Sequence, residues 1–136
     1  MGSKEFKLTA RVSYEDTDAA GIAYHANYLK FMERARTEWL RSLGYDQHKL
    51  AEDHQVGFVV RKMDIDFIQP ARLDDELNIV SKLQKCGRAS MIFSQTVYRD
   101  NVALCGATVK VGCINLQSGR PQAMSDELYR EIKNAG

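Results

Sequence analysis

YEDTDAAGIAYHANYLKFMERARTEW, residues 14–39, decides the fold. Within it Tyr28, Phe31, Met32, Ala35 and Trp39, continued by Leu43, fall at the i, i+3/i+4, i+7 spacing of one helical face. Lys30, Glu33, Arg34, Arg36, Glu38 and Arg41 fill the other faces, with Arg34–Glu38 as an i,i+4 pair worth a few tenths of a kcal/mol. Asn27 reads as the N-cap and Gly44 as a left-handed stop. A helix over Asn27–Leu43 is about 25 Å long at 1.5 Å per residue, enough to span a sheet. Ahead of it runs an acidic loop with a small-residue turn, so a carboxylate, a histidine and a helix N-terminus share one short span.

The flanking sequence supplies the sheet. Phe6 to Ser13 alternates apolar and polar residues, the period of a half-buried strand. Tyr45 to Val56 is polar and reads as irregular, with at most a short helical turn. Period two returns over Gly57–Ile68, putting Val59, Met63, Ile65 and Phe67 on one face and Asp64 and Asp66 on the other. Gln69-Pro70 and Asp74-Asp75 end that strand and turn the chain. Leu77, Ile79 and Leu83 carry a third strand up to Gly87. A fourth, Met91 to Tyr98, is apolar enough to be covered on both faces, and Asp100-Asn101 makes a hairpin turn. In the last strand Ala103, Cys105, Ala107, Val109, Val111 and Cys113 form a small-residue face, against which the long helix can lie. Ser125 caps a short terminal helix with Asp126 and Glu127 in its first turn. Strand, helix and strand meander in one chain predict an α+β domain over residues 1–136, an antiparallel sheet of about five strands around one long helix. Open sheet edges predict a homodimer or larger assembly.

Composition narrows the function. The 19 Lys+Arg against 18 Asp+Glu create no global field for nucleic acid or an anionic membrane. The absence of an N-terminal apolar run predicts no signal peptide and no membrane insertion. Three cysteines without metal-ligand spacing read as reduced thiols and predict a cytoplasmic protein. There is no G-x-S-x-G elbow, P-loop or H-E-x-x-H zinc motif. Asp18 is the residue best placed for chemistry. Partly desolvated by Ile22, Tyr24 and Tyr28, it could act as general base or as nucleophile. The N–H groups around His25 to Tyr28 would suit an oxyanion. An aspartate before a helix is, however, most often a turn or cap residue. Taken alone, His25 reads as a structural hydrogen-bonder, and Tyr14 as a strand-end aromatic. Glu15 and Asp16 read as solvent-facing charges, as do Asp64 and Asp66. Arg61-Lys62 and Arg88, at strand beginnings, are the basic residues best placed to meet a phosphate.

The block from Tyr14 through Asp18, Gly21 and Tyr24-His25-Ala26-Asn27-Tyr28 to Arg36 and Trp39-Leu40 closely resembles the YbgC-type acyl-CoA thioesterases. These belong to the 4-hydroxybenzoyl-CoA thioesterase branch of the hot-dog superfamily. The likeness continues through Asp64-Ile65-Asp66-Phe67 and Pro70-Ala71 to the last strand. It implies a hot-dog fold, hydrolysis of an acyl-CoA, and no cofactor beyond the coenzyme A of the substrate. It implies further that Asp18 is the catalytic carboxylate, that a backbone N–H near His25 polarises the thioester carbonyl, and that Tyr14 and the His25 side chain assist. Tyr24, Val59, Val60 and Arg61 become substrate contacts at a dimer interface, and Arg88 and Ser90 contacts for the nucleotide end of coenzyme A. Family likeness favours a homodimer assembling to a homotetramer. Two alternatives accompany this reading: acyl carrier protein as the carrier, and an envelope or phospholipid-synthesis scaffold with weak catalysis.

Overall fold

The computed structural model describes residues 4–23 and 25–136. Five strands form one antiparallel sheet: β1 (Glu5–Arg11), β2 (Val56–Phe67), β3 (Glu76–Cys86), β4 (Ser90–Arg99) and β5 (Val102–Asn115), in the order β1-β3-β4-β5-β2. Helix α1 (His25–Ser42) lies across one face, and α3 (Asp126–Ala135) closes the core beside it. This is the hot-dog architecture. Among the described residues no helix is long and apolar enough to cross a membrane.

The apolar stripe of α1 packs as its spacing predicts, with Tyr28, Phe31, Met32, Ala35 and Trp39 buried and Trp39 edge-on to Phe93 at 5.3 Å. Gly44, at φ 92°, ends the helix in the left-handed region. Ser125 caps α3 by accepting the Leu128 N–H at 3.2 Å. Leu128 and Ile132 of α3 are fully buried, and the Tyr45 hydroxyl donates to Glu131 at 2.5 Å. The small face of β5 is buried from Cys105 to Cys113, and burial pushes both thiols up to about 11, but a register shift pairs Ala103 with half-buried Tyr98 and takes it off that face.

Several sequence expectations are corrected. Arg36, placed on the polar side of the helix, is buried and donates to Gln95 Oε1 at 2.8 Å. Gln95 Nε2 in turn donates to the Met32 carbonyl and to Ser81 Oγ, both at 2.9 Å, so one amide ties α1 to β3 and β4. Among the described residues Glu38 pairs with Arg41, not Arg34. The closest backbone approaches of α1 are to β1 and β3 rather than to the small residues of β5. Residues 47–54 are helical, as α2 (Gln47–Lys49) followed by a π-turn over Leu50–His54. The outer face of β4, at Ile92, Ser94, Thr96 and Tyr98, is only half-buried.

β2 departs most from simple alternation. A bulge between Val60 and Lys62 shifts its register against β5. Before it Phe58 and Val60 pair with buried Cys113 and Val111; after it Met63 pairs with buried Val109. Val59 therefore belongs to the face opposite Met63 and Ile65. The side chain of Arg61, mid-strand rather than at a strand start, lies over Gly112, so closely that a Cβ there would sit 2.5 Å from Arg61 Cδ.

The core depends on the α1 stripe. Phe31→Ala, at a residue 1% exposed, is expected to cost about 3–5 kcal/mol in urea unfolding.

Candidate active site

The Asp18 loop is built from backbone hydrogen bonds. After the 3₁₀ turn at Tyr14–Asp16, Thr17 bridges Ala23, folding the loop back on itself. Asp18 N–H donates to the Ile22 carbonyl at 2.9 Å, and Gly21, at φ 74°, donates to the Asp18 carbonyl at 3.0 Å. The Asp18 carboxylate is half-buried. Its Oδ1 accepts the N–H groups of Ala20 at 2.8 Å and Ile22 at 3.2 Å. No side-chain or backbone donor among the described residues reaches Oδ2. One oxygen thus orients the group while the other is available for a proton or a carbonyl carbon.

Asp16 is a correction to the sequence reading. It is buried, and Oδ2 accepts both the N–H of Ser13 at 3.0 Å and its hydroxyl at 2.9 Å, fixing the turn that enters the loop. Asn27 is corrected too. It lies inside the first turn of α1, and its side chain donates to the Asp16 carbonyl at 2.7 Å, tying the helix start to that turn.

A second brace comes from the β2–β3 connection. Ala23 N–H donates to the Ala71 carbonyl at 2.8 Å, and Leu73 N–H donates to the Gly21 carbonyl at 3.0 Å. The buried Tyr28 hydroxyl accepts the Ala71 N–H at 2.8 Å, and burial raises its pKa. Asp75 holds the far end, accepting Arg99 Nη1 and the Arg72 N–H, each at 2.8 Å. Burial pushes the Asp75 carboxyl up, but these hydrogen bonds and the Arg99 charge outweigh it and hold the group below its usual 3.8.

The start of α1 carries no acidic residue in its first turn, so its positive end is not neutralised locally. It opens on a cavity of about 210 Å³ lined by Ile22, Ala23, His25, Tyr28 and Phe67–Pro70. The His25 ring stands edge-on to Phe67 at 4.8 Å. A larger groove of about 560 Å³ runs between α1 and the first half of β2. Its apolar walls include Leu29, Leu40, Leu50, Phe58, Val60 and Met63, with Glu33 and Arg36 on the helix side. Among the described residues no cluster of His, Cys, Asp and Glu has the makings of a metal site.

The sequence matches the thioesterase-like superfamily over residues 12–132. The chain belongs to that family. Among its thioesterase relatives, the acyl-CoA thioesterase YbgC of Haemophilus influenzae is 44% identical over 123 residues, 90% of each chain. The acyl-CoA thioester hydrolase YbgC of Escherichia coli O157:H7 is 40% identical over 134 residues, 98% of this chain and 99% of that one. A probable thioesterase from Bartonella henselae superposes with a TM-score of 0.85 at 34% identity, over 90% of this chain and all of the other.

The thioesterase chain gathers some of the expected residues and separates others. Asp18 and the helix start share one braced loop, although no hydrogen bond joins Asp18 to His25 among the described residues. Asp18 lines neither the small cavity nor the groove. Tyr14 points to solvent, 83% exposed. Tyr24 lies outside the described residues. Val59 and Val60 line the groove, whereas Arg61 rests on Gly112. The Arg88 guanidinium is engaged by Asp126 and stacks 4.3 Å from the Tyr129 ring, with Ser90 close by at the start of β4. Sequence reading placed Phe67 on the apolar face of a strand and Gln69 at that strand's end; both line the cavity at the helix start. The signal was an apolar Phe67-Ile68 pair immediately before Gln69-Pro70.

Since the folded pKa of Asp75 is depressed, its ionisation stabilises the fold above the unfolded value of 3.8 and ceases to do so as pH falls through the folded value. In urea titrations, the stability difference between wild type and Asp75→Asn is expected to be largest near neutrality and to shrink below pH of about 4.

Proposed function

We propose that this protein hydrolyses an acyl-CoA thioester to a free acid and coenzyme A. The observation that carries the reading is the Asp18 carboxylate, held through Oδ1 by two backbone N–H groups and with no donor to Oδ2 among the described residues, in the loop that leads into α1, whose first turn has no acidic residue. YbgC relatives at 40–44% identity over nearly the whole chain support it.

In the general-base route Asp18 takes a proton from water as the hydroxide oxygen bonds to the thioester carbon. The carbonyl oxygen becomes an oxyanion facing N–H groups of the first turn of α1, in the neighbourhood of His25. Collapse of this intermediate breaks the C–S bond, and the departing thiolate takes the proton from Asp18. In the nucleophilic route Asp18 attacks the carbon itself, the C–S bond breaks with coenzyme A leaving as its thiolate, and water opens the resulting mixed anhydride to the free acid and the Asp18 carboxylate, its proton going to the thiolate. No metal or other cofactor enters either route.

The acyl group occupies the groove between α1 and β2, with Val59 and Val60 at its rim. β2 is an edge strand carrying exposed Val59 and Val60, with exposed Leu29 and Leu116 lining the same groove, and such an edge favours pairing with a second copy. A homodimer formed there, itself able to build a tetramer, would close the groove's open side and could cover Tyr14. Arg61, Arg88 and Ser90 remain proposed contacts for the nucleotide; binding phosphate through Arg88 requires it to exchange Asp126 for the ligand.

Asp18→Asn is expected to lower kcat/KM for acyl-CoA hydrolysis by about a hundred- to ten-thousand-fold with an unchanged unfolding midpoint. Retained turnover overturns the assignment. Single turnover in ¹⁸O-water separates the routes, since label enters the Asp18 side chain only by way of the anhydride. Comparing coenzyme A and acyl carrier protein thioesters at low and high salt identifies the carrier. Sedimentation equilibrium is expected to show a dimer or tetramer, and a monomer at micromolar concentration contradicts the proposed assembly.

A further inference from the structure

Arg36 is an unusual wall for an apolar groove. It is 9% exposed, and its one hydrogen bond within the described protein runs from Nη1 to the neutral amide of Gln95. No salt bridge among the described residues includes it. No fully buried side-chain nitrogen or oxygen there lacks a partner, so the remaining guanidinium N–H groups reach open space. The open space that Arg36 lines is the groove. Glu33, one turn earlier on α1, lines the same groove and is the charge nearest in effect to Arg36. The helix side of the groove therefore offers buried N–H donors and a carboxylate acceptor, against hydrocarbon on the β2 side.

A hydrocarbon chain leaves those donors dry, and an unsatisfied buried charge is costly. A carboxylate satisfies Arg36 but meets Glu33. A neutral oxygen satisfies Arg36 without that repulsion, and a hydroxyl can also donate to Glu33. Burial holds the Arg36 pKa below its usual value, the response expected of a guanidinium short of partners.

We infer that Arg36 and Glu33 read an oxygen on the acyl group, so that this protein favours thioesters of hydroxy- or oxo-acids over plain hydrocarbon acids and dicarboxylic acids. The inference rests on the thioesterase reading and on the groove as its acyl site. Arg36 lies eleven residues beyond His25, about 16 Å along the helix, so the oxygen belongs towards the far end of a medium to long chain.

The test compares dodecanoyl-CoA with its ω-hydroxy, ω-oxo and ω-carboxy analogues, and repeats the series at octanoyl length. The hydroxy or oxo substrate is expected to exceed the plain one in kcat/KM by roughly tenfold to a hundredfold, mainly through KM, at one length or the other. Arg36→Met should bring that ratio to about one, and Arg36→Lys should restore part of it. Because Arg36→Met also leaves Gln95 Oε1 without its donor, Glu33→Gln, at an exposed site, provides a second readout: it should raise the ω-carboxy substrate relative to the plain one. Hydrolysis of all four at equal rates at both lengths, or of none of them while acetyl-CoA or benzoyl-CoA is cleaved, overturns the inference and leaves the thioesterase reading intact; hydrolysis of no thioester at all overturns that reading. If Arg36→Met changes the sedimentation coefficient but not the ratio, a second copy fills the groove and the inference is wrong.

Discussion

The buried side chain of Gln95 fixes where the long helix sits on the sheet, and the site depends on that placement. Its amide makes three hydrogen bonds, to Arg36 and Met32 of α1 and to Ser81 of β3. In a low-dielectric core such bonds are directional, and sliding the helix by one residue would break the two that end on α1. Apolar packing alone tolerates small shifts of a helix on a sheet; a buried amide does not. Fixing α1 along the sheet also fixes where it begins, and with it the His25 end that faces the Asp18 loop.

The braces around that loop extend the same constraint outward. Asp16 holds Ser13, Asn27 holds Asp16, and Tyr28 holds Ala71, while Asp75 and Arg99 secure the far end of the β2–β3 connection. Most of these bonds end on a backbone group. Positioning of Asp18 therefore depends on chain geometry more than on particular side chains along the loop, apart from the few that tie it down.

The sequence made much of this legible. Helical spacing from Tyr28 to Trp39, the alternation in β1 and β3, the stop at Gly44 and the cap at Ser125 are local signals, and local signals survive folding. Arg36 and Asn27 were misplaced because their partners are distant in sequence, whereas Asp16, whose partner Ser13 is three residues away, was missed although its signal was local. Arg36 looked solvent-facing because its partner, Gln95, is fifty-nine residues away. Asp16 looked like one more loop charge until the turn wrapped Ser13 onto it, and Asn27 looked like a cap because its true acceptor lies eleven residues upstream. Asp18 was singled out by its place before a helix and by family likeness. The Phe67–Pro70 wall of the adjacent cavity was missed because nothing local links the end of β2 to the start of α1.

The bulge in β2 has a consequence for how such a chain can diverge. It resets the alternation midway, so Val56, Phe58 and Val60 on one side and Met63, Ile65 and Phe67 on the other face the same way despite opposite parity. Straightening the bulge with every residue kept would turn one half of the strand inside out, whereas loss of one residue there would give plain alternation with both halves facing as they do now. The first half borders the groove and the second ends at the small cavity by the helix start. The two halves are thus phased separately, and substitutions in one half can reshape its chamber without re-registering the other.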